Sequence, residues 1–433
     1  NTADARRALE IAREHGAPAL PRGGGTSQAG QTLGRSLVID SSKYLTEICA
    51  LDTDARTASV EPGIVLDELN RVLAPSGLFF PVDVSTSSRA TIGGMAANNS
   101  VGSRSLRYGH MVDNVLGIDA VLADGERLHF DANAFNGTTN GRLKALADRM
   151  TGLYEREREE FARRLPQTAR NVAGFNLDRL GREDRNLADI LVGSEGTLAW
   201  FERVELKLAT IPQHKVLGIC HFPTFLSAME SAQHLVKLEP TVIELVDSTV
   251  INLARQQAQF RSTLERFVRG TPEALFFIEF AGDDRDELLR QLDGLEEVMG
   301  TLGFPDAVVR AEEREAQQSV WNVRKAALNI VSGQMAQEWA RDGIRSACIC
   351  PGLVRTEMAM PLVEHFEKKG FPQNMLRICG EPEHIAGMAV LLASPAGAYC
   401  HGGIFTVDGG EMWRPTYSDT EAESVISDLD EGA

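Results

Sequence analysis

Helical periodicity opens the chain: in "NTADARRALEIAREHG" alanines and Leu9 fall on one face, with Thr2 placed to cap the first turn. Short alternating runs follow, with "SLVID" and "TASVEPG" reading as strands and "VLDELNRVLAPSG" as a helix. "NVLGIDAVLADGERLHF" returns to strand character. An alternation of this kind expects a strand ahead of the first helix, so the N-terminus reads as truncated. Residues 137–186 break the rhythm: "GRLKALADRMTGLYEREREEFARRL" is a charged helical insertion, and "NVAGFNLDRL" leads back into compact structure. "LADILVGSEGTLAWFERVELKLATI" then reads as a loop followed by two strands.

From about 213 the strands "KVLGICHF" and "EALFFIEFAG" interleave with the helices "FLSAMESAQHLVKL" and "RDELLRQLDGLEEVMGTLG", which predicts an α+β cap domain. Residues 331–410 give a helix, the strand "GIRSACIC", a "PGLVRT" turn, the helix "EPEHIAGMAVLLAS" and the strand "GGIFTVDGG". The tail "SDTEAESVISDLDEGA" is acidic and polar, the composition of a disordered segment. No internal repeat is visible.

Composition narrows the function classes. A chain of 433 residues has room for two or three domains. Its net charge of −17 argues against nucleic acid, whose binding rests on neutralised phosphates, and against an anionic membrane face. No apolar run approaches the roughly 20 residues that span a bilayer, and the start lacks a signal organisation. The six cysteines (49, 220, 348, 350, 379, 400) include no C-x-x-C, a spacing unsuited to a zinc or four-cysteine iron–sulfur site. They read as buried thiols of a reducing, cytoplasmic setting.

The candidate chemistry begins at "PRGGGTSQAGQT", residues 21–32, where three consecutive glycines and the adjoining hydroxyls of Thr26 and Ser27 follow a strand. Such a nest lets backbone N–H groups approach an anion. Alone it is equally a flexible turn, and it has neither the G-K-[ST] of a Walker loop nor G-x-G-x-x-G spacing. Two later stretches accompany it: "PVDVSTSSRATIGGMAANNSVGSRSLRYGHMVDNVLGI" (81–118) and "VGSEGTLAWFERVELKL" (192–208). In this order and spacing the three resemble the flavin-binding domain of the vanillyl-alcohol oxidase/p-cresol methylhydroxylase superfamily.

That resemblance implies FAD held between two α+β subdomains. By it, Arg22, Gly23, Gly24, Gly25, Thr26 and Ser27 cradle the pyrophosphate, and Gly30 and Gln31 close the loop. Pro81, Asp83, Ser85, Thr91, Gly93, Gly94, Asn99 and Ser100 line the ribityl and isoalloxazine side, joined by Glu195 and Gly196. Some relatives tether the flavin through a histidine, for which His110 is the nearby candidate beside its reading as an ordinary loop histidine.

Within the superfamily, residues 187–330 resemble the branch that oxidises D-2-hydroxy acids such as D-lactate, glycolate and D-2-hydroxyglutarate, on "PTVIELVDSTV", "FFIEFAGDD" and "WNVRKAAL". The arginine of W-x-x-R is similar to one that grips the substrate carboxylate, which assigns that role to Arg324 because a guanidinium fork matches a carboxylate bidentately. The branch also has a H-x-x-D-G-N-x-H segment supplying metal ligands and a base. This sequence has none after residue 330, where the histidines are His365, His384 and His401. No catalytic residue and no metal ligand is therefore assigned.

Residues 325–410 resemble instead the C-terminal third of a short-chain dehydrogenase/reductase, through "KAALNIVSGQMAQEWARDGIRSACICPGLVRTEM" and "EPEHIAGMAVLLASPAGAYCHGGIFTVDGG". That resemblance would set Pro351, Gly352 and Thr356 beside a nicotinamide. Lys325 stands in the lysine position of Tyr-x-x-x-Lys, but Trp321 occupies the tyrosine's. The glycine-rich first turn of a dinucleotide fold is also missing.

The expected architecture is α+β: a two-subdomain FAD-binding domain (1–212), a truncated cap (213–330), a partial Rossmann-like α/β fragment (331–410) and an acidic tail (411–433). The expected function is FAD-dependent oxidation of a D-2-hydroxy acid, with an unidentified electron acceptor and homo-oligomerisation left open. Two alternatives stand beside it: a catalytically impaired flavin-binding chimera joined near 325–331, and a nicotinamide-dependent reductase.

Overall fold

The computed structural model describes residues 1–433 except 28–29, 167, 169–170, 173, 256–259, 324–344, 346, 356–359, 369–375, 401–403 and 411–433. The chain forms two compact units, Asn1–Asp247 with Val268–Gln317, and Ser248–Phe267 with Gln318–Ala433. The acidic tail and the helix expected after residue 331 lie outside the described residues.

In the first unit, helix α1 (Thr2–Glu14) precedes two parallel strands, β1 (Ala19–Arg22) and β2 (Leu37–Asp40). The cap of α1 is Asn1 rather than Thr2. Asn1 Oδ1 accepts the Asp4 N–H at 3.1 Å, and Asp4 bonds back to the N-terminal amine. Thr2, already inside the helix, donates to Glu61 instead. Asn and Thr are comparable caps, so sequence alone could not place this boundary.

An antiparallel sheet with strand order β3-β4-β8-β6-β7 forms the centre of the first unit: β3 (Ile48–Asp52), β4 (Thr57–Val60), β6 (Val115–Leu122), β7 (Arg127–Asp131) and β8 (Ala199–Lys207). The second half of β8 alternates, with Val204 and Leu206 buried and Arg203 and Lys207 exposed. Period-two alternation of this kind is what a sheet with one covered face requires. Val60 and Ile118 both pair with Val204, so one buried row runs across three strands. Helix α2 (Leu66–Leu73) buries Leu66, Leu69 and Leu73, the spacing of one helical face, into the same core. The charged insertion is a helix over Gly141–Arg164 capped by Asn140, and only Leu143 and Ala147 are buried along it.

A four-stranded sheet of this unit has the order β11-β12-β10-β13, formed by Val242–Asp247, Ala274–Gly282, His214–Phe222 and Val308–Ala311. The helix Arg285–Thr301 lays Leu288, Leu292, Leu295 and Met299 against it. A Cβ on Gly218 would stand 2.5 Å from Leu295, so this helix needs a glycine in β10 to sit close. In the second unit the described strands β14 (Cys348–Pro351) and β15 (Ile404–Val407) pair in parallel.

The thiols are not uniformly buried: Cys220 and Cys379 are, Cys400 is half-buried, and Cys49 is exposed. The side chains of Cys348 and Cys350 lie outside the described residues. No described helix is long and apolar enough to cross a membrane.

Glu202 on β8 is 5% exposed and accepts from Arg6 of α1 and, at 2.8 Å, from Arg127 of β7. Removing it leaves two guanidiniums without their acceptor. Glu202→Ala is expected to cost about 2 kcal/mol, the range of a charged hydrogen bond, as read by urea denaturation. An unchanged midpoint would show that α1 is not held by this carboxylate.

Across the β6–β7 ladder His129 Nδ1 meets Asp119 Oδ1 at 2.8 Å. This bond raises the pKa of His129 and lowers that of Asp119. The carboxylate's share is present above the ordinary Asp value and lost as pH falls through its depressed pKa. The imidazole's share is full below the ordinary His value and lost as pH rises through the elevated one. The pair thus stabilises most between about pH 4 and about pH 6.5. Stability should fall above that window in the native chain and follow a flatter profile in His129→Gln. Identical pH profiles for the two proteins would rule the pair out as the source.

Candidate cofactor site

Three stretches far apart in sequence meet at the end of β1. The first is the glycine loop. A Cβ on Gly23 would stand 2.2 Å from Thr91 Oγ1, and one on Gly24 would stand 2.1 Å from the Arg89 carbonyl oxygen. Backbone here approaches backbone more closely than any side chain allows, which is why glycines occupy both positions.

The second stretch presents that surface. Thr91 is 1% exposed and accepts the Gly94 N–H at 3.3 Å, capping α3 (Ile92–Asn98). Gly93 N donates to Pro62 O at 2.7 Å, and a Cβ there would lie 2.4 Å from Pro62. Pro81 is buried and Ser85 exposed nearby in sequence. Ser100 follows the left-handed Asn99, and its N–H donates to Met95 O at 3.0 Å.

The third stretch closes the constellation. Gly193 N donates to Ala96 O at 2.9 Å and Glu195 N to Ala97 O at 2.8 Å. The Glu195 carboxylate accepts from Asn98 at 2.8 Å. Gly196, at φ 71°, lies against Pro21 of β1, where a Cβ would be 3.2 Å from the proline ring. All three motifs therefore share one patch of backbone.

The polar groups left over suit a phosphate-bearing ligand. Arg22 Nε is buried without a hydrogen bond, 3.8 Å from Asp40, and Gln31 Oε1 and Ser194 Oγ are likewise buried without partners. Among the described residues the N–H groups of Gly23 to Ser27 have no recorded acceptor. A guanidinium beside a run of N–H donors is the donor set of an oxyanion cradle. Gly25 and Gly30 take positive φ (65° and 82°), a conformation glycine adopts without a Cβ penalty.

Two expected lining residues have other work. Asp83 accepts from Ser103 Oγ at 2.6 Å and from Arg104 N at 3.1 Å, stapling the next loop. Asn99 is fully buried, accepting from Val112 N at 3.1 Å and donating to Asn176 at 3.2 Å. Asn176 in turn donates to the carbonyls of Asp189 and Val192, so Asn99 and Asn176 join the second and third stretches. Asn176 escaped the sequence reading, and its one signal there is an asparagine within "GFNLDRL".

His110 precedes the short helix Met111–Asn114, its carbonyl accepting from Asn114 at 2.8 Å. Arg324, Lys325 and Thr356 lie outside the described residues. Pro351 and Gly352 sit at the end of β14, with Gly352 N donating to Val407 O at 3.1 Å. His384 Nδ1 accepts the Glu381 N–H at 2.9 Å within its own helix turn. The His365 side chain and His401 lie outside the described residues. No group of three metal-ligating side chains occurs among the described residues.

Residues 1–131 match the family described as FAD binding domain, and residues 211–343 match FAD linked oxidases, C-terminal domain. Residues 307–411 match the family described as Enoyl-(Acyl carrier protein) reductase. D-2-hydroxyglutarate dehydrogenase of Haemophilus influenzae is 35% identical over 289 residues, 64% of this chain and 28% of that protein. The mitochondrial D-lactate dehydrogenase [cytochrome] of Arabidopsis thaliana is 30% identical over 324 residues, 74% of this chain and 47% of that protein. The chain thus spans less than half the length of either relative. Among solved structures, alkyldihydroxyacetonephosphate synthase superposes with a TM-score of 0.54 at 20% identity, covering 75% of this chain and 56% of that one. At that identity the likeness concerns the fold.

Because Gly24 faces the Arg89 carbonyl, even alanine must displace one of the two loops. Gly24→Ala is expected to lose at least tenfold in flavin affinity while keeping its far-ultraviolet circular dichroism. Flavin retained at native stoichiometry after desalting would show that this contact does not shape the site.

Proposed function

We propose, for a chain that carries the FAD binding domain and the C-terminal domain of the FAD linked oxidases, that it oxidises a D-2-hydroxy acid. The observation that carries this reading is the meeting of residues 21–31, 81–100 and 192–197 on one backbone patch with unsatisfied polar groups. The names of the relatives, D-2-hydroxyglutarate and D-lactate dehydrogenases, support the substrate class.

In this reading Arg22 and the N–H groups from Gly23 to Ser27 hold the pyrophosphate, with Gly30 and Gln31 closing the loop. Pro81, Ser85, Thr91, Gly93, Gly94, Ser100, Glu195 and Gly196 face the rest of the cofactor. Asp83 and Asn99 act one step back, fixing the loops that carry those groups. FAD, when bound, would supply the acceptor for the hydride from C2 of the substrate, the 2-hydroxyl proton passing to solvent because no residue of this chain is assigned as its base. Arg324 orients the substrate by its carboxylate through two parallel N–H donors.

Anaerobic mixing of the FAD-loaded protein with D-2-hydroxyglutarate, D-lactate and glycolate tests the reading. At least one acid is expected to bleach the flavin band, and the L-enantiomers of the chiral acids are not. Arg324→Ala should raise the substrate concentration for half-maximal bleaching about tenfold or more, the loss of a charge-assisted bidentate contact. A loaded flavin that none of the three acids reduces would sink the substrate class, and an unchanged half-maximal concentration would sink the role of Arg324.

A further inference from the structure

Away from the glycine loops, the first unit has a cavity of about 310 Å³ that shares no lining residue with the candidate cofactor site. Its wall carries Arg56, Arg107 and Lys207 against one carboxylate, Asp283, with Tyr108 and Thr210 between them. Three cations to one anion is unexpected in a chain of net charge −17.

The cations are held in place by the fold. Arg56 occupies the β3–β4 turn at φ 54°, and its carbonyl accepts the Leu208 N–H at 2.8 Å, pinning the turn to the end of β8. Lys207 is the last residue of β8 and pairs with Thr57, so it sits beside Arg56 by register. Arg107, on the short helix Ser105–Tyr108, donates to Thr241 Oγ1 at 3.1 Å and to the Ala281 carbonyl. Both acceptors are neutral, so neither offsets the positive charge of the guanidinium. It also stands 5.6 Å from the Tyr108 ring centre, and Tyr108 packs edge-on against Phe79. Asp283 is engaged by the Gln213 N–H at 3.2 Å.

Among the described residues, none of the three cations has an ion-pair partner. Other cations of the unit do face carboxylates, such as Arg6 and Arg127 on Glu202 and Arg310 between Asp293 and Glu296. Like charges gathered in a concave wall raise the local positive potential even where water screens each of them, and a cleft focuses that potential. Guanidinium and ammonium groups together suit carboxylate or phosphate oxygens. The volume is at the lower end for a small-molecule pocket, which is about 300–1,000 Å³.

We propose that this cleft binds a small polyanion bearing at least two negative charges, carboxylate or phosphate, through Arg56, Arg107 and Lys207. The inference does not depend on the flavin reading. Isothermal titration of the full chain with inorganic phosphate and with succinate, each with and without added FAD, tests it. Adding FAD fills the glycine loops, so phosphate captured there separates from phosphate held in the cleft.

Saturable binding of at least one probe is expected in both conditions, weakening as salt screens the charges. Arg56→Gln combined with Lys207→Gln should weaken it at least tenfold. Both side chains are exposed, so the variant's circular dichroism and melting point should match the native chain. Tighter phosphate assigns a phosphate ester as the occupant, and tighter succinate a dicarboxylate. Absence of saturable binding by either probe, phosphate binding abolished by FAD with no succinate binding, or unchanged affinity in the double variant would each overturn the proposal.

Discussion

Close backbone approach at Gly23 and Gly24 is the constraint on which the candidate cofactor site depends. Hydrogen bonds tolerate a few tenths of an ångström, but a Cβ placed 2.1 Å from a carbonyl oxygen cannot be accommodated without moving a loop. The same constraint recurs at Gly93 against Pro62 and at Gly102, where a Cβ would meet the Asp83 carbonyl at 1.6 Å. These contacts set the loops against one another before any ligand arrives. Asp83, Asn99 and Asn176 then lock them by side-chain bonds that no cofactor need share. The cradle is built from inside the protein, and the polar groups facing outward remain available.

Charge is treated in two opposite ways in the same unit. Glu202, almost fully buried, is matched by two arginines from different elements. That arrangement costs desolvation and is compensated only because every carboxylate oxygen finds a donor. The cleft around Arg56, Arg107 and Lys207 leaves positive charge unmatched, but at exposed positions where water lowers the cost. A chain this acidic has carboxylates enough to neutralise three cations. Their separation from those carboxylates is a property of the fold, fixed by the β3–β4 turn and the end of β8.

Much of this was legible in the sequence. "WFERVELK" is a strand and "LDELNRVL" a helix in the fold, as their sequences imply. The three motif stretches were identifiable because glycine and hydroxyl residues are constrained by local backbone geometry. The roles of Asp83 and Asn99 were not legible, since a polar side chain in a glycine-rich loop can face a ligand or staple its own loop equally well. Which it does depends on partners such as Ser103 and Asn176, the latter 77 residues from Asn99. The helix Met360–Lys368 also went unread, because "PLVEHFEKK" begins at a proline that reads as a breaker although proline is at home in a first turn.

The overlap of two family matches across residues 307–343 has a physical reading. Strand β13 (Val308–Ala311) pairs antiparallel with β10 and belongs to the cap sheet. Gln317, the last residue of the first unit, still donates to the carbonyls of Lys215 and Ala311. Residues 307–317 therefore fold with the flavin-oxidase part, although the reductase match begins there. Beyond them the pairing changes in kind. β14 and β15 run parallel, and the chain between them passes through the helices Met360–Lys368 and Pro382–Ala393. Parallel neighbours require a crossover of that sort, whereas each neighbouring pair in the cap sheet is antiparallel. The cap sheet and the β14–β15 pair on either side of the overlap thus follow different rules of strand connection, a difference independent of any sequence match.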